Sequence, residues 1–395
     1  MTSDAYVLDY VRTPRGKGSP RGALHGVSPT GLVVALLDAL GERGLDPAAV
    51  EDVVLGIASQ SGEQGADLAR TAVLLAGWGD GVPGATLNRF CASGIDAVAQ
   101  TAARVRAGDL GLAVAGGVES TSRVPMFSDG GPLFRDPDVV RRIGSVHMGV
   151  AADLNATLDG WTRDELDAYG VETQEKAARA WAAGAFARSV VPVAGLDRDE
   201  LVRPGTTAEA LAALEPAFAG LGADGQDALA LAAHPEAGEI RHPHTVGTSP
   251  ALADGAALLL LGDAAAAEAA GLRPRARIVA SATAAADPVI MLTAGQTAVE
   301  RVLARAGLTP ADIDVFEFAE AFAALCLRLR RDLGAGPDRL NPNGGTIAMG
   351  HAFGATGAVM VGGCVEELER RGGRYGVAAV SGAAGLGVAV LVERL

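Results

Sequence analysis

LLDALGERGLDPAAVEDVVLG, residues 36–56, reads as the end of a helix, a Gly turn, a short helix opened by Pro47 and an apolar strand. The chain writes the same unit again as AVERVLARAGLTPADIDVFEF, residues 298–318. The offset is constant: Gly44-Leu45 matches Gly307-Leu308, Pro47 matches Pro310 and Val50 matches Ile313. A candidate strand precedes each unit, AYVLDYV (5–11) and RARIVASA (275–282). A Gly-rich junction and a helix follow each, NRFCASGIDAVAQTAARV (88–105) and GHAFGATGAVMVGGCVEELERR (350–371). Each half closes on an apolar strand, LGLAVAGGV (110–118) and YGVAAVSG (375–382). Strands alternating with helical stretches specify mostly parallel sheet covered by helices. Two such halves specify a pseudo-twofold α/β architecture in which the junctions at 91 and 351 can face one another.

Residues 119–248 break this pattern with Pro, Gly, Asp and Arg clusters, several His and amphipathic pieces such as RDELDAYGVETQEKAARAWAAG (163–184). Helical periodicity persists there, so the segment reads as a cap inserted over a site rather than a linker. DGAALLLLGDAAAAEAAG (254–271) returns to strand-helix character and rejoins the first half. The expected organisation is therefore a first half of 1–118 plus 249–272, a cap of 119–248 and a second half of 273–395.

At 395 residues, with 49% hydrophobic and 20% charged residues, the chain has the composition of a well-packed α/β protein. Aromatics are only 4%, so Ala, Val, Leu and Gly fill the core. The formal charge of −14 argues against nucleic acid as a partner. It also requires any anionic ligand to be held by local Arg residues or helix ends. Cys91, Cys326 and Cys364 are odd in number and scattered, which argues against a disulfide framework or a zinc site and for a reducing compartment. MTSDAYVLDYVRTP (1–14) is acidic and turns strand-like, so it is not a signal peptide, and no apolar run is long enough to span a membrane. A cytoplasmic protein without a bound metal is expected.

Cys91 stands where a strand-like segment meets a helix. It is either a small buried side chain or a nucleophile, because the unpaired N–H groups of a helix amino end favour a thiolate. His351 occupies the equivalent junction of the second half, between Gly350 and Gly354, in NPNGGTIAMGHAFGATGAVM (341–360). Its imidazole can take the thiol proton or donate to a developing oxyanion. His25, His147, His234, His242 and His244 lack that symmetry, and apart from His147 they read as solvated loop residues.

NRFCASG, NGGTIAMGH, GATG, FAEAFA (318–323), VHMG (146–149) and the doubled αβ unit together resemble the thiolases, acyl-CoA C-acyltransferases that make or cleave 3-ketoacyl-CoA. The resemblance spans essentially the whole chain. It implies two βαβαβαββ halves in a layered αβαβα core with an inserted loop domain, and a homodimer or homotetramer. It implies Cys91 as the acylated nucleophile and His351 as its activator, with the N–H groups of Cys91 and Ala383 forming an oxyanion hole. His147, Met148 and Phe322 would line the acyl pocket, and Gly350 would let substrate approach the backbone. Arg203 in RPGTT and Ser249 in TSPALADG (248–255) would contact coenzyme A, which is a substrate rather than a permanently bound cofactor.

Six positions depart from the family pattern. The second cysteine of its C-x-G-G-G-x-G turn is Ser381 in SGAAGLG (381–387), and Ala383 and Ala384 replace two of the glycines. The Asn or His before the Glu of FAEAFA is Ala319, Ala352 follows the His in place of Pro, and Pro250 stands where Ser is usual. A serine hydroxyl is a poor base near neutral pH, and losing an oxyanion-hole donor typically costs about 10²- to 10³-fold. Equipment for taking up an acyl group is kept, while equipment for handling a carbon acid is weakened. Three functions fit: a thiolase-type C-acyltransferase, an enzyme that passes the acyl group to a heteroatom nucleophile or water, and a catalytically weak scaffold subunit. Acyl chain length, acceptor, direction, pathway and dimer versus tetramer are not written in the sequence.

Overall fold

The computed structural model describes residues 3–395. Ten strands hydrogen-bond into one sheet: β1 (Tyr6–Arg12), β2 (Gly16–Lys17), β3 (Asp52–Gly56), β4 (Gly84–Leu87), β5 (Leu112–Ser120), β6 (Ala253–Gly262), β7 (Ala276–Ala285), β8 (Val315–Phe318), β9 (Tyr375–Gly382) and β10 (Leu386–Arg394). Their order is β4-β3-β5-β6-β1-β7-β10-β9-β8, with β2 beside β6.

The duplication is visible in the pairing. From the seam outward the first half runs β1, β6, β5, β3, paired antiparallel, antiparallel and parallel. The second half runs β7, β10, β9, β8 with the same three pairings, so the sheet is mostly antiparallel rather than mostly parallel as the alternation of strands and helices led one to expect. The seam is short, joining Tyr6 to Arg277 and Val7 to Ala276. The counterpart of β4 shrinks to one parallel bridge between Phe316 and Leu340. Pro337 and Pro342 flank it, and a residue without an N–H cannot extend a ladder.

The helices that matter to the site are α1 (Pro29–Glu42), α2 (Leu68–Leu75), α3 (Ser93–Ala107), α4 (Met148–Asp159), α5 (Arg163–Ala182), α6 (Ala294–Ala306), α7 (Ala323–Leu333) and α8 (Phe353–Arg371). Strand side chains alternate between faces, and here both faces are buried. Val114, Leu258 and Leu260 point to α1 and α2, while Ala113, Ala115 and Leu259 point to α3 and α8. In the second half Val377, Ala379 and Leu391 face α6 and α7, and Ala378, Val388 and Val390 face the shared α3–α8 layer. Five layers result, αβαβα, with two helices at the centre.

Close approach at that centre sets the site. A Cβ added to Gly94 of α3 would lie 2.3 Å from the Gly354 carbonyl oxygen, and one on Gly357 of α8 would lie 2.5 Å from the Ile95 nitrogen. Only glycine permits the amino ends of α3 and α8 to touch. Cys91 and His351 each lie just upstream of those contacts. The segment between β5 and β6 carries α4 and α5, which pack against α7 beside this junction. Among the described residues no helix is long and apolar enough to cross a membrane.

Candidate active site

Asn88 and Ser93 build the turn that presents Cys91. Asn88 Oδ1 accepts from the Phe90 N–H at 2.8 Å. The Ser93 hydroxyl accepts from the Arg89 N–H at 2.8 Å and donates to the Phe90 carbonyl at 2.6 Å. These bonds hold Phe90 at φ 50°, a left-handed conformation that costs a non-glycine residue about 1–2 kcal/mol. The chain reverses there, and Cys91 enters the interface 8% exposed.

His351 is fixed by different means. Its N–H donates to the Ala251 carbonyl at 2.8 Å, and its own carbonyl accepts from the Ala253 N–H at 3.2 Å. Gly350 before it stands at φ 97°, where a Cβ would meet Leu201 and Ala253 at 2.7 and 2.8 Å. The ring packs edge-on against Phe353, and Nδ1 pairs with the Thr356 hydroxyl at 2.8 Å.

Cys91, His351, Ser381 and Ala383 line one cavity of about 250 Å³. His147, Met148, Ser249 and Phe322 line it as well. Of the residues expected at the site, Gly350, Arg203 and Ala319 are not in that lining. The Gly350 carbonyl instead accepts from Arg15. Arg203 lies in an adjoining recess with Thr206, Val246 and Ala251. Ala319 is 2% exposed, gives its N–H to the Ala379 carbonyl, and faces a separate small cavity with Glu317 and Asn343. Its methyl is too short to reach across the core. Among the described residues, no turn, loop or cap carbonyl takes the N–H of Cys91 or Ala383.

The electrostatics correct one expectation. The amino end of α3 was expected to favour a thiolate, yet burial, reinforced by the Glu119 carboxylate, pushes the Cys91 thiol up to about 12. Burial, with Arg15 adding to it, pushes the His351 imidazole down to about 3. Desolvation outweighs the helix end. Both shifts favour the uncharged forms, a thiol and a neutral imidazole lining one cavity. Alkylation by iodoacetamide is therefore expected to accelerate about tenfold per pH unit from pH 7 to 9, following the thiolate fraction, with no plateau. A plateau with a midpoint near neutrality would establish a thiolate–imidazolium pair instead.

Ser381 is more constrained than its sequence position suggests. Its hydroxyl donates to the Leu292 carbonyl at 2.7 Å and accepts from the Gly295 N–H at 3.0 Å, so it caps the start of α6. Ala384 is held at φ 57°, where glycine would be unstrained. Cys326 and Cys364 are fully buried, as packing residues should be.

The solvated-loop reading fails for two histidines. His244 is fully buried, bonded through Nδ1 to Asp153 at 2.7 Å, and His242 spans Asp153 and Asp227. His147 caps α4 through Nδ1, and burial lowers its pKa.

Two residues went unnoticed in the sequence. Thr356, within GATG, orients His351. Glu119, at the end of the apolar strand β5, is fully buried and accepts from the N–H groups of Ala58, Ser59 and Gly354 and from Gln64. It ties the loop after β3 to the second junction and adds to the effect of burial at Cys91. A lone acidic residue closing an apolar strand was the available signal.

Comparison with known proteins agrees with this geometry. The family model for the thiolase N-terminal domain matches residues 5–224, and that for the thiolase C-terminal domain matches 272–394. A beta-ketoadipyl-CoA thiolase of Pseudomonas knackmussii is 38% identical over 423 residues, covering 100% of both chains. A 3-ketoacyl-CoA thiolase of Colwellia psychrerythraea is 36% identical over 408 residues, again covering 100% of both. The crystal structure of the Bacillus anthracis acetyl-CoA acetyltransferase superposes with a TM-score of 0.86 at 31% identity, covering 100% of this chain and 99% of that one.

Proposed function

The chain belongs to the thiolase family and is a thiolase-like acyl-CoA C-acyltransferase, and from that premise we propose how its own residues carry the transfer. Cys91 Sγ attacks the carbonyl carbon of an acyl-CoA thioester as His351 Nε2 takes the thiol proton. Thr356 engages Nδ1, which leaves Nε2 free for this task. The N–H groups of Cys91 and Ala383 hold the developing oxyanion. Collapse of the intermediate breaks the carbon–sulfur bond to coenzyme A, whose thiolate recovers the proton from the imidazolium. The products are an acyl-Cys91 enzyme and free coenzyme A.

One observation carries this reading: the sulfur and the imidazole, 260 positions apart (351 − 91), line a single cavity. Met148 and Phe322 bound the acyl group, while Ser249 and Arg203 lie toward coenzyme A; Gly350, its carbonyl held by Arg15, shapes the turn before His351. Coenzyme A comes and goes as a substrate, the working form is a homodimer or homotetramer, and the protein acts in the cytoplasm.

Carbon-acid chemistry is the weakened half. Forming or cleaving the carbon–carbon bond requires an α-proton to be moved, and the hydroxyl at 381 is already committed to Leu292 and Gly295. That commitment favours a second reading, in which the acyl group passes from Cys91 to an amine, an alcohol or water, with His351 as the base.

The test is direct. Wild-type protein incubated with acetyl-CoA and weighed by intact-mass spectrometry is expected to gain one acyl group and release one equivalent of coenzyme A. Absence of any adduct after prolonged incubation with short or longer acyl-CoAs would leave a scaffold role instead.

A further inference from the structure

Cys91 borders a second recess besides the cavity it shares with His351. The two spaces have Cys91, Met126, Met148, Phe353 and Ala383 in common, so an acyl group on the sulfur can turn into either. The second is walled by Phe90, Phe127 and Phe134, with Phe134 packed edge-on to Phe90 at 6.2 Å and tilted against Phe127 at 4.3 Å. Phe90 and Phe127 both hold left-handed backbones, at φ 50° and 67°. Strained residues concentrated at one wall are a mark of a functional site.

Charge decides what such a recess accepts. Among the described residues no Lys or Arg lines either space, and apart from Cys91 itself the one ionisable side chain in the aromatic recess is the acidic Asp129. Beneath it lies the buried Glu119 carboxylate, which already acts on Cys91. Nearby cations are spoken for or lie outside. Arg89 is paired with Asp96 and Arg123 with Glu63, Arg15 is held by Asp199, and the exposed Arg135 is not in the lining. A carboxylate entering this region would face the like charge of Asp129 and find no counter-ion.

We propose that the acyl group loaded on Cys91 is an uncharged, apolar one seated against Phe90, Phe127 and Phe134, and that acyl groups ending in a carboxylate are rejected. This rests on the reading of Cys91 as the acylated nucleophile. It separates the chain in substrate from the beta-ketoadipyl-CoA thiolases it resembles in sequence, and places it with acyltransferases for hydrocarbon acyl chains.

Hexanoyl-CoA and adipyl-CoA make the test, since they share a carbon chain and differ by the terminal carboxylate. Initial loading rates, measured by quenched intact-mass spectrometry with acetyl-CoA as reference, are expected to favour hexanoyl-CoA by roughly 10- to 100-fold. Phe134→Arg, which sits on ordinary helical backbone and adds the missing cation, is expected to narrow that ratio at least tenfold. Adipyl-CoA loading within threefold of hexanoyl-CoA on the wild type overturns the proposal. Loading by acetyl-CoA alone also overturns it, since the aromatic recess then takes no chain. Failure of all three thioesters has a different signature: the Cys91 reading itself falls, and the proposal with it.

Discussion

Cys91→Ala is expected to erase the acyl adduct from intact-mass spectra and to lower thioester turnover by about 10⁴-fold or more, in line with deletion of a nucleophile from an otherwise complete site. The variant should remain folded. Removing one sulfur from a tightly packed position costs about 1 kcal/mol, and Ala keeps the backbone N–H that the oxyanion requires. Thioester binding should survive for the same reason, giving an inactive protein that still retains acyl-CoA. No other thiol can stand in. Cys326 and Cys364 are fully buried in the cores around α7 and α8, and burial pushes both thiols up. Turnover that persists in Cys91→Ala within tenfold of wild type would remove the acyl-enzyme from the mechanism.

Much of this arrangement is written in the repeat. Gly44 and Gly307, Pro47 and Pro310 mark two copies of one αβ unit, and two copies of a unit impose two copies of a strand order, which the sheet displays. The same symmetry singles out Cys91 and His351, because equivalent positions of paired units meet at the pseudo-twofold axis. What the sequence could not express is the environment each side chain meets after the chain has closed. Glu119 takes donors from residues 58, 59, 64 and 354, so neither its burial nor its effect on the thiol follows from its neighbours in sequence. His244 looks like a loop residue until Asp153 of α4 is brought against it. The strand opposite β8 was lost to Pro337 and Pro342, which leave only the bridge at Leu340. Ala319, where the family places Asn or His, gives its N–H to β9 and lines a separate small cavity rather than the one shared by Cys91 and His351.

Ser381 is where sequence and structure together make the strongest demand. Chemically, serine there replaces a thiol by an alcohol of far higher pKa. Geometrically, the alcohol is engaged at both ends, donating to Leu292 and accepting from Gly295. A hydroxyl that has given its proton to a carbonyl and one lone pair to an amide keeps a single lone pair, too weakly basic to take a proton from a substrate α-carbon. Cysteine would differ on both counts, since sulfur is a weaker hydrogen-bond partner and a stronger acid. Gly295 keeps one side of the hydroxyl open, because a Cβ there would come within 2.5 Å of the present oxygen. Ser381→Cys combined with Ala319→Asn is therefore expected to raise acetoacetyl-CoA thiolysis by about 10²- to 10⁴-fold, the range a positioned acid/base group contributes. Loading of Cys91 by acetyl-CoA should change by less than about threefold, since that half of the reaction moves no carbon-bound proton. The pair of measurements separates the two halves. A wild type already as fast in thiolysis as the double variant would show that His351 or a water moves the proton unaided, and that the hydroxyl at 381 was never the obstacle.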